Sequence, residues 1–190
     1  MIGGMTRVQR LITVEEFFAL PDPPQGGKME LVDGRVVTMS LVGREHAALA
    51  GRLDRALGNF ADQHALGEVG VEGGFRLFPD RSLVRAPDAH WVAAERLSEF
   101  TDRGFYDSFP DLAVEVVSPD DRDADISEKV HEYLAAGTAR VWVLRPRTRS
   151  VTVHRPDGSA QTYTGDSSFT SADAGFALDG FSLNLTALFS

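Results

Sequence analysis

The stretch from Leu112 to Leu144 constrains this 190-residue chain more than any other part of it. Leu112-Ala113-Val114-Glu115-Val116-Val117 is a short apolar run closed by Ser118-Pro119, and Arg140 to Leu144 is a second such run. Runs of this kind suit strands covered on both faces. Between them, Asp125 to Ala136 carries a helical period, with Ile126, Val130, Tyr133 and Leu134 on one face and Gly137 as terminator. Asp125 and Glu128 have capping-box spacing at its start. Strand, helix and strand in this order predict a right-handed crossover between parallel neighbours, and so an α/β fold.

The remaining segments extend that unit. Thr13 to Leu20 reads as a short helix, with Thr13 and Glu16 as a capping box and Pro21 as a stop. Pro21 to Gly27 is a loop. Met29 to Ser40 reads as a hairpin about Asp33-Gly34. Arg44 to Ala65 is the longest helical pattern, with Leu49, Leu53, Leu57 and Phe60 on one face and Gly67 as terminator. Glu68 to Phe78 and Leu83 to Ala93 are strand-like, and Val151 to Thr164 is a hairpin about Pro156-Asp157-Gly158. The order from Arg44 to Leu144 is α, β, β, β, α, β. One domain over 1–190 is expected, with its core at about 29–146 and a β extension at about 150–190.

Composition narrows the chemistry. There is no cysteine, which excludes disulfides, thiolate metal sites and cysteine nucleophiles. No run reaches the ~18 apolar residues of a membrane helix. Arg7 and Arg10 are not followed by the apolar core of a secretory signal, so a cytoplasmic location is expected. Serine-hydrolase elbows, Walker loops and dinucleotide fingerprints are absent. The formal charge of −9 argues against a general nucleic-acid coat. That acidity is local, however. Glu95 to Glu132 holds 12 acidic and 4 basic residues, while the rest of the chain is nearly balanced. Only Lys28 and Lys129 are lysines among 19 basic residues, so the position of each is a question in itself.

Three residues could carry chemistry together. Glu115 stands alone in an apolar strand, where a carboxylate is costly unless it is paired, protonated or bound to metal. Asp88 follows Pro87 inside a strand pattern, and proline there marks an edge or a bulge that re-aims side chains. Pro-Asp also recurs five times elsewhere as an ordinary turn pair. Lys129 lies one turn into the helix after the Glu115 strand, where its amine can meet that carboxylate; the plain alternative is a solvated lysine paired with Asp125 or Glu132. Two carboxylates with an amine suit phosphodiester hydrolysis: hard oxygen ligands hold Mg²⁺ or Mn²⁺, and the ammonium supports charge developing on phosphorus.

The element order, Pro87-Asp88 and Glu115 resemble the PD-(D/E)xK restriction-endonuclease superfamily, and in detail its Uma-two branch of endonucleases. The resemblance runs from about Thr13 to Gly158. Its carriers are Thr13-Val14-Glu15-Glu16-Phe17, Met29-Glu30-Leu31-Val32-Asp33-Gly34, Glu45-His46, Ala86-Pro87-Asp88 and Asp111 to Pro119, continued by Asp125, Lys129, Tyr133, Gly137 and Val141 to Pro146. It implies a restriction-endonuclease-like mixed sheet flanked by helices, with an N-terminal helix and hairpin. It also implies a DNA endonuclease using Mg²⁺ or Mn²⁺, and a homodimer. Asp88, Glu115, Lys129 and Glu30 would be catalytic, and Asp88, Glu115 and Val116 metal-binding. The superfamily's lysine position is Val117 here, so Lys129 stands as a relocated lysine.

His46, Arg52, Arg55 and Arg145 are candidates for substrate binding. Arg52 and Arg55 sit on the long helix, and Arg145 alternates with Arg147 and Arg149. A solvated face is the plain alternative for these charges. His64, His90, His131 and His154 show no metal-ligand spacing, and His90 shares a strand face with Asp88. Two other functions remain open at this stage: a metal phosphohydrolase of small substrates, and an inactive nuclease fold serving as an interaction module.

Overall fold

The computed structural model describes residues 10–24, 26–39, 41–100 and 105–190. Arg7, Gln25 of the first loop and Ser40 of the hairpin lie outside them. In chain order the elements are α1 Val14–Phe18, β1 Met29–Val32, β2 Arg35–Thr38, α2 Arg44–His64, β3 Gly67–Gly70, β4 Phe75–Arg76, β5 Val84–Arg85, β6 Ala89–Ala93, β7 Leu112–Val116, α3 Asp123–Ala136, β8 Arg140–Arg145, β9 Ser150–His154, β10 Ala160–Thr164, β11 Ser168–Thr170, α4 Ser171–Ala174, β12 Ser182–Asn184 and α5 Leu185–Leu188. Six strands make the main sheet in the order β10-β9-β8-β7-β6-β3, and four make a smaller one in the order β2-β1-β5-β4. β7 and β8 are parallel, with Glu115 opposite Val143, as the strand–helix–strand pattern requires. Among the described residues no helix is long and apolar enough to cross a membrane.

Alternation along the central strands sorts their side chains. Leu112, Val114 and Val116 of β7 and Ala89, Trp91 and Ala93 of β6 pack with Leu49, Leu53 and Leu57 of α2. The tail joins this core through Phe169, Phe176, Phe181, Leu185 and Leu188. On the other face, Val92 and Ala113 pack with Ile126, Val130 and Tyr133 of α3. A period of two then puts Asp88, His90 and Glu115 on the α3 face. α1 closes a third cluster, in which Val14 and Phe17 meet Leu31 and Val84.

The two long strands expected between Glu68 and Ala93 are each broken in two. Their outer halves pair as β3 with β6 in the main sheet, and their inner halves as β4 with β5 in the small one. Pro87 supplies no ladder N–H at the break, and its carbonyl accepts from Glu72 N–H at 3.1 Å. Opposite, a Cβ on Gly73 would stand 2.6 Å from the His90 ring, and one on Gly74 would stand 2.1 Å from Phe105. This close approach ends the pairing and turns the hairpin from one sheet to the other. The capping box expected at Asp125 is also replaced. α3 starts at Asp123 with Arg122 as its cap residue, and the Asp125 carboxylate takes the Arg122 guanidinium at 2.6 and 2.8 Å. α2 ends on Ala65 in the left-handed conformation, ahead of Gly67. The tail, expected as a β extension, also forms α4 and α5.

His90 is buried between Phe75 and Tyr106, and among the described residues neither ring nitrogen has a hydrogen-bond partner. Burial lowers its pKa to about 4. A folded value below the unfolded one means that protonating the ring opposes folding. Stability is unaffected by this group above the ordinary histidine range and is lost as pH falls from there toward about 4. His90→Leu should therefore flatten the decline of unfolding free energy between about pH 6.5 and 4 by about 3 kcal/mol relative to wild type, measured by urea unfolding across that range.

Candidate functional site

A cleft of about 550 Å³ opens where the small sheet, the ends of β6 and β7 and the first turns of α2 and α3 meet. Glu30, Asp88 and Glu115 line it and are 1%, 4% and 2% exposed. Such burial demands partners, and each carboxylate has them. Asp88 Oδ2 accepts the Val116 N–H at 2.7 Å, and Oδ1 accepts Lys28 Nζ at 2.6 Å. His46 Nε2 is 3.2 Å from the same Oδ1, with its Nδ1 3.2 Å from Ser118 Oγ. Glu115 accepts the Tyr133 hydroxyl at 3.0 Å on Oε1 and Lys129 Nζ at 3.0 Å on Oε2. Glu30 accepts Lys129 Nζ at 3.1 Å and the Ala86 N–H at 3.1 Å on Oε1, and Arg85 Nη1 at 2.8 Å on Oε2. Arg85 Nε reaches Glu132 at 2.7 Å, which completes an alternating row of charges.

Local structure delivers each group. Pro87 and the break between β5 and β6 put Asp88 at the first turn-in of the main sheet, beside Val116 of β7. Parity in β7 turns Glu115 toward α3, where Lys129 and Tyr133, four residues apart, share one helix face. Burial is the largest influence on all three carboxyls, and it wins only at Glu115, whose pKa is raised. At Glu30, Lys129 and Arg85 outweigh burial and lower the pKa; at Asp88, the bonds to His46 and the charge of Lys28 do the same. Burial likewise works against both lysines, yet Glu115 with Asp88 raises Lys28, and Glu115 with Glu30 raises Lys129. Both ammoniums stay charged. Glu115 is thus the carboxyl whose charge depends most on its neighbours, with Lys129 and Lys28 working against its burial.

Asp88, Glu115, Lys129, Glu30 and His46 are brought together as the sequence predicted, and Lys129 takes neither Asp125 nor Glu132. Val116 is present through its N–H on Asp88. The arginines expected to hold substrate are elsewhere. Arg52 donates to the Leu188 carbonyl at 3.1 Å and Arg149 to the Phe189 carbonyl at 3.0 Å, so both satisfy the end of α5. Arg145 pairs with Asp123 at 2.9 Å, and Arg55 is exposed on α2. None of the four lines the cleft. Sequence reasoning missed Lys28, Arg85 and Glu132 as members. The rarity of lysine was a usable signal for Lys28, since both lysines of the chain end here.

Arg85→Met would leave Glu30 and Glu132 buried without their shared guanidinium. It should destabilise the protein by about 3–5 kcal/mol in urea unfolding, as removal of one member of a buried charge pair does.

Comparison with known proteins agrees with this geometry. Residues 14–186 match the family Uma2, described as "Putative restriction endonuclease". The crystal structure of a putative nuclease belonging to DUF820 from Anabaena variabilis superposes with a TM-score of 0.77 at 19% identity, covering 94% of this chain and 97% of that one. That likeness establishes the fold: a mixed sheet flanked by helices, as in a nuclease. The curated proteins contain no match.

Proposed function

The chain belongs to the Uma2 family, and on that premise we propose that it is a phosphodiester hydrolase, a DNA endonuclease that works with Mg²⁺ or Mn²⁺. The observation that carries the reading is the pair of buried carboxylates, Asp88 and Glu115, on one face of adjacent strands with the Lys129 ammonium 3.0 Å from Glu115. Among the described residues no three histidines or carboxylates are arranged to hold a metal by themselves. Mg²⁺ is commonly held by only one or two carboxylates, with water and phosphate oxygens completing its shell. The donor set fits that mode: Asp88 and Glu115 would hold the ion, beside the Val116 backbone. When bound, it would lower the pKa of a water and draw charge from a phosphate oxygen.

The chain's own groups have separate tasks. Lys129 faces the cleft and supports negative charge as it develops on the phosphate. Glu30 aims that ammonium, and is itself fixed by Arg85 and the Ala86 N–H. Tyr133 holds the second oxygen of Glu115, and Val116 fixes Asp88. His46 braces Asp88 from α2, with its other ring nitrogen on Ser118, and would lie beside the phosphate chain. DNA as the substrate rests on the family and not on an arginine track, because Arg52 and Arg149 are engaged with α5.

Asp88→Asn and Glu115→Gln should each abolish Mn²⁺-dependent cleavage while the circular dichroism spectrum stays native. Lys129→Met should lower kcat about 10²–10³-fold, the range seen on removal of one transition-state donor, with metal affinity retained. Single-stranded DNA, double-stranded DNA and bis(p-nitrophenyl) phosphate, assayed with each variant, distinguish a nuclease from a small-substrate phosphohydrolase. Cleavage by Asp88→Asn equal to wild type contradicts the assignment.

A further inference from the structure

Lys28 is the member of the cleft to which the reaction just proposed gives no task. Its ammonium stands 2.6 Å from Asp88 Oδ1 and 2.7 Å from the Ala86 carbonyl. Oδ1 also has His46 Nε2 at 3.2 Å, so both of its lone-pair directions are engaged; Oδ2 is engaged by the Val116 N–H. A divalent ion on Asp88 takes a carboxylate oxygen at about 2.0–2.1 Å for Mg²⁺. An ammonium on the same carboxylate would then lie within a few ångströms of a double positive charge, where repulsion in a buried site is large.

Formal charges show which cation gives way. Glu30, Asp88, Glu115 and Glu132 face Lys28, Arg85 and Lys129 in the buried row. With Lys28 in place the row carries one negative charge in excess; without Lys28 the excess is two, which one divalent ion balances. An ion added beside Lys28 would leave the row positive, and an ion exchanged for Lys28 leaves it neutral. Geometry agrees. Arg85 is bound on two sides, to Glu30 and Glu132, and Lys129 on two, to Glu115 and Glu30. Lys28 and Lys129 both line the cleft and are about equally exposed, at 11% and 12%, so exposure does not separate them; the number of bonded carboxylates does, for Lys28 is bonded to one carboxylate and the Ala86 carbonyl.

We propose that Lys28 is a built-in counter-ion that holds Asp88 in the metal-free protein, competes with the divalent cation for that carboxylate, and swings out of the cleft when the cation binds. The inference rests on the metal-dependent reading of the cleft. It makes Lys28 a positioning residue that sets the metal affinity and keeps Asp88 from standing buried and unpaired.

The chain has only two lysines, so ¹⁵N-lysine-labelled wild-type protein gives two side-chain ammonium signals, assigned with Lys28→Met and Lys129→Met. On titration with Mg²⁺ the Lys28 signal should move toward that of free lysine and its hydrogen exchange should quicken, while Lys129 stays protected. By calorimetry, Lys28→Met should bind Mn²⁺ at least about tenfold more tightly than wild type, since one nearby repulsive charge is gone. Its melting temperature should fall without metal and recover with it. If wild type binds Mn²⁺ in an Asp88-dependent manner, yet the Lys28 signal is unmoved at saturation or Lys28→Met binds no more tightly, the role of Lys28 is overturned and the metal cleft stands. If no Asp88-dependent binding occurs in either protein, both fall. The labelled wild type decides the matter should Lys28→Met fail to fold.

Discussion

Asp88 ties together three parts of the molecule at the head of the cleft. Its Oδ2 takes the Val116 N–H from β7, its Oδ1 takes Lys28 from just ahead of β1 in the small sheet, and His46 reaches it from α2. A carboxylate at 4% exposure would be strongly destabilising alone. With these partners it becomes the joint on which two sheets and a helix agree. The same requirement then propagates. Lys129 needs Glu115 and Glu30, Glu30 needs Arg85, and Arg85 needs Glu132. Each buried charge is tolerable only because the next one is there, and truncation of any member strands its neighbours.

The broken hairpin makes this row possible. A continuous β5–β6 strand would keep Arg85 and Asp88 in one sheet. The interruption at Pro87, opposite Gly73 and Gly74, sends Arg85 to the small sheet beside Glu30 and starts Asp88 in the main sheet beside Val116. The space that the two glycines leave is filled by the rings of His90 and Phe105. One local departure from regular pairing therefore serves both the layering of the fold and the convergence of its carboxylates.

Much of this was legible from residue order. The apolar runs around Glu115 and Val141, with a helical period between them, forced a parallel pair and put Lys129 near Glu115. Thr13 with Glu16, and the Asp33-Gly34 turn, marked α1 and the first hairpin through local chemistry alone. What stayed hidden depends on contacts between distant segments. Arg85 and Glu132 carried no signal, because nothing within their own elements shows that each faces a buried partner 47 positions away. Arg52 and Arg149 looked like a basic track for the same reason, since the carbonyls they satisfy lie at the far end of the chain. Lys28 was flagged by scarcity and by nothing else.

The central claim is that the buried carboxylates Asp88 and Glu115 form one divalent-metal cleft. A crystal of the protein grown with Mn²⁺ and measured at the manganese absorption edge tests it most directly. An anomalous peak within bonding distance of both Asp88 and Glu115 is the predicted result. A well-ordered cleft with no peak there, or manganese bound only at the acidic surface around Asp120 and Asp121, would contradict it.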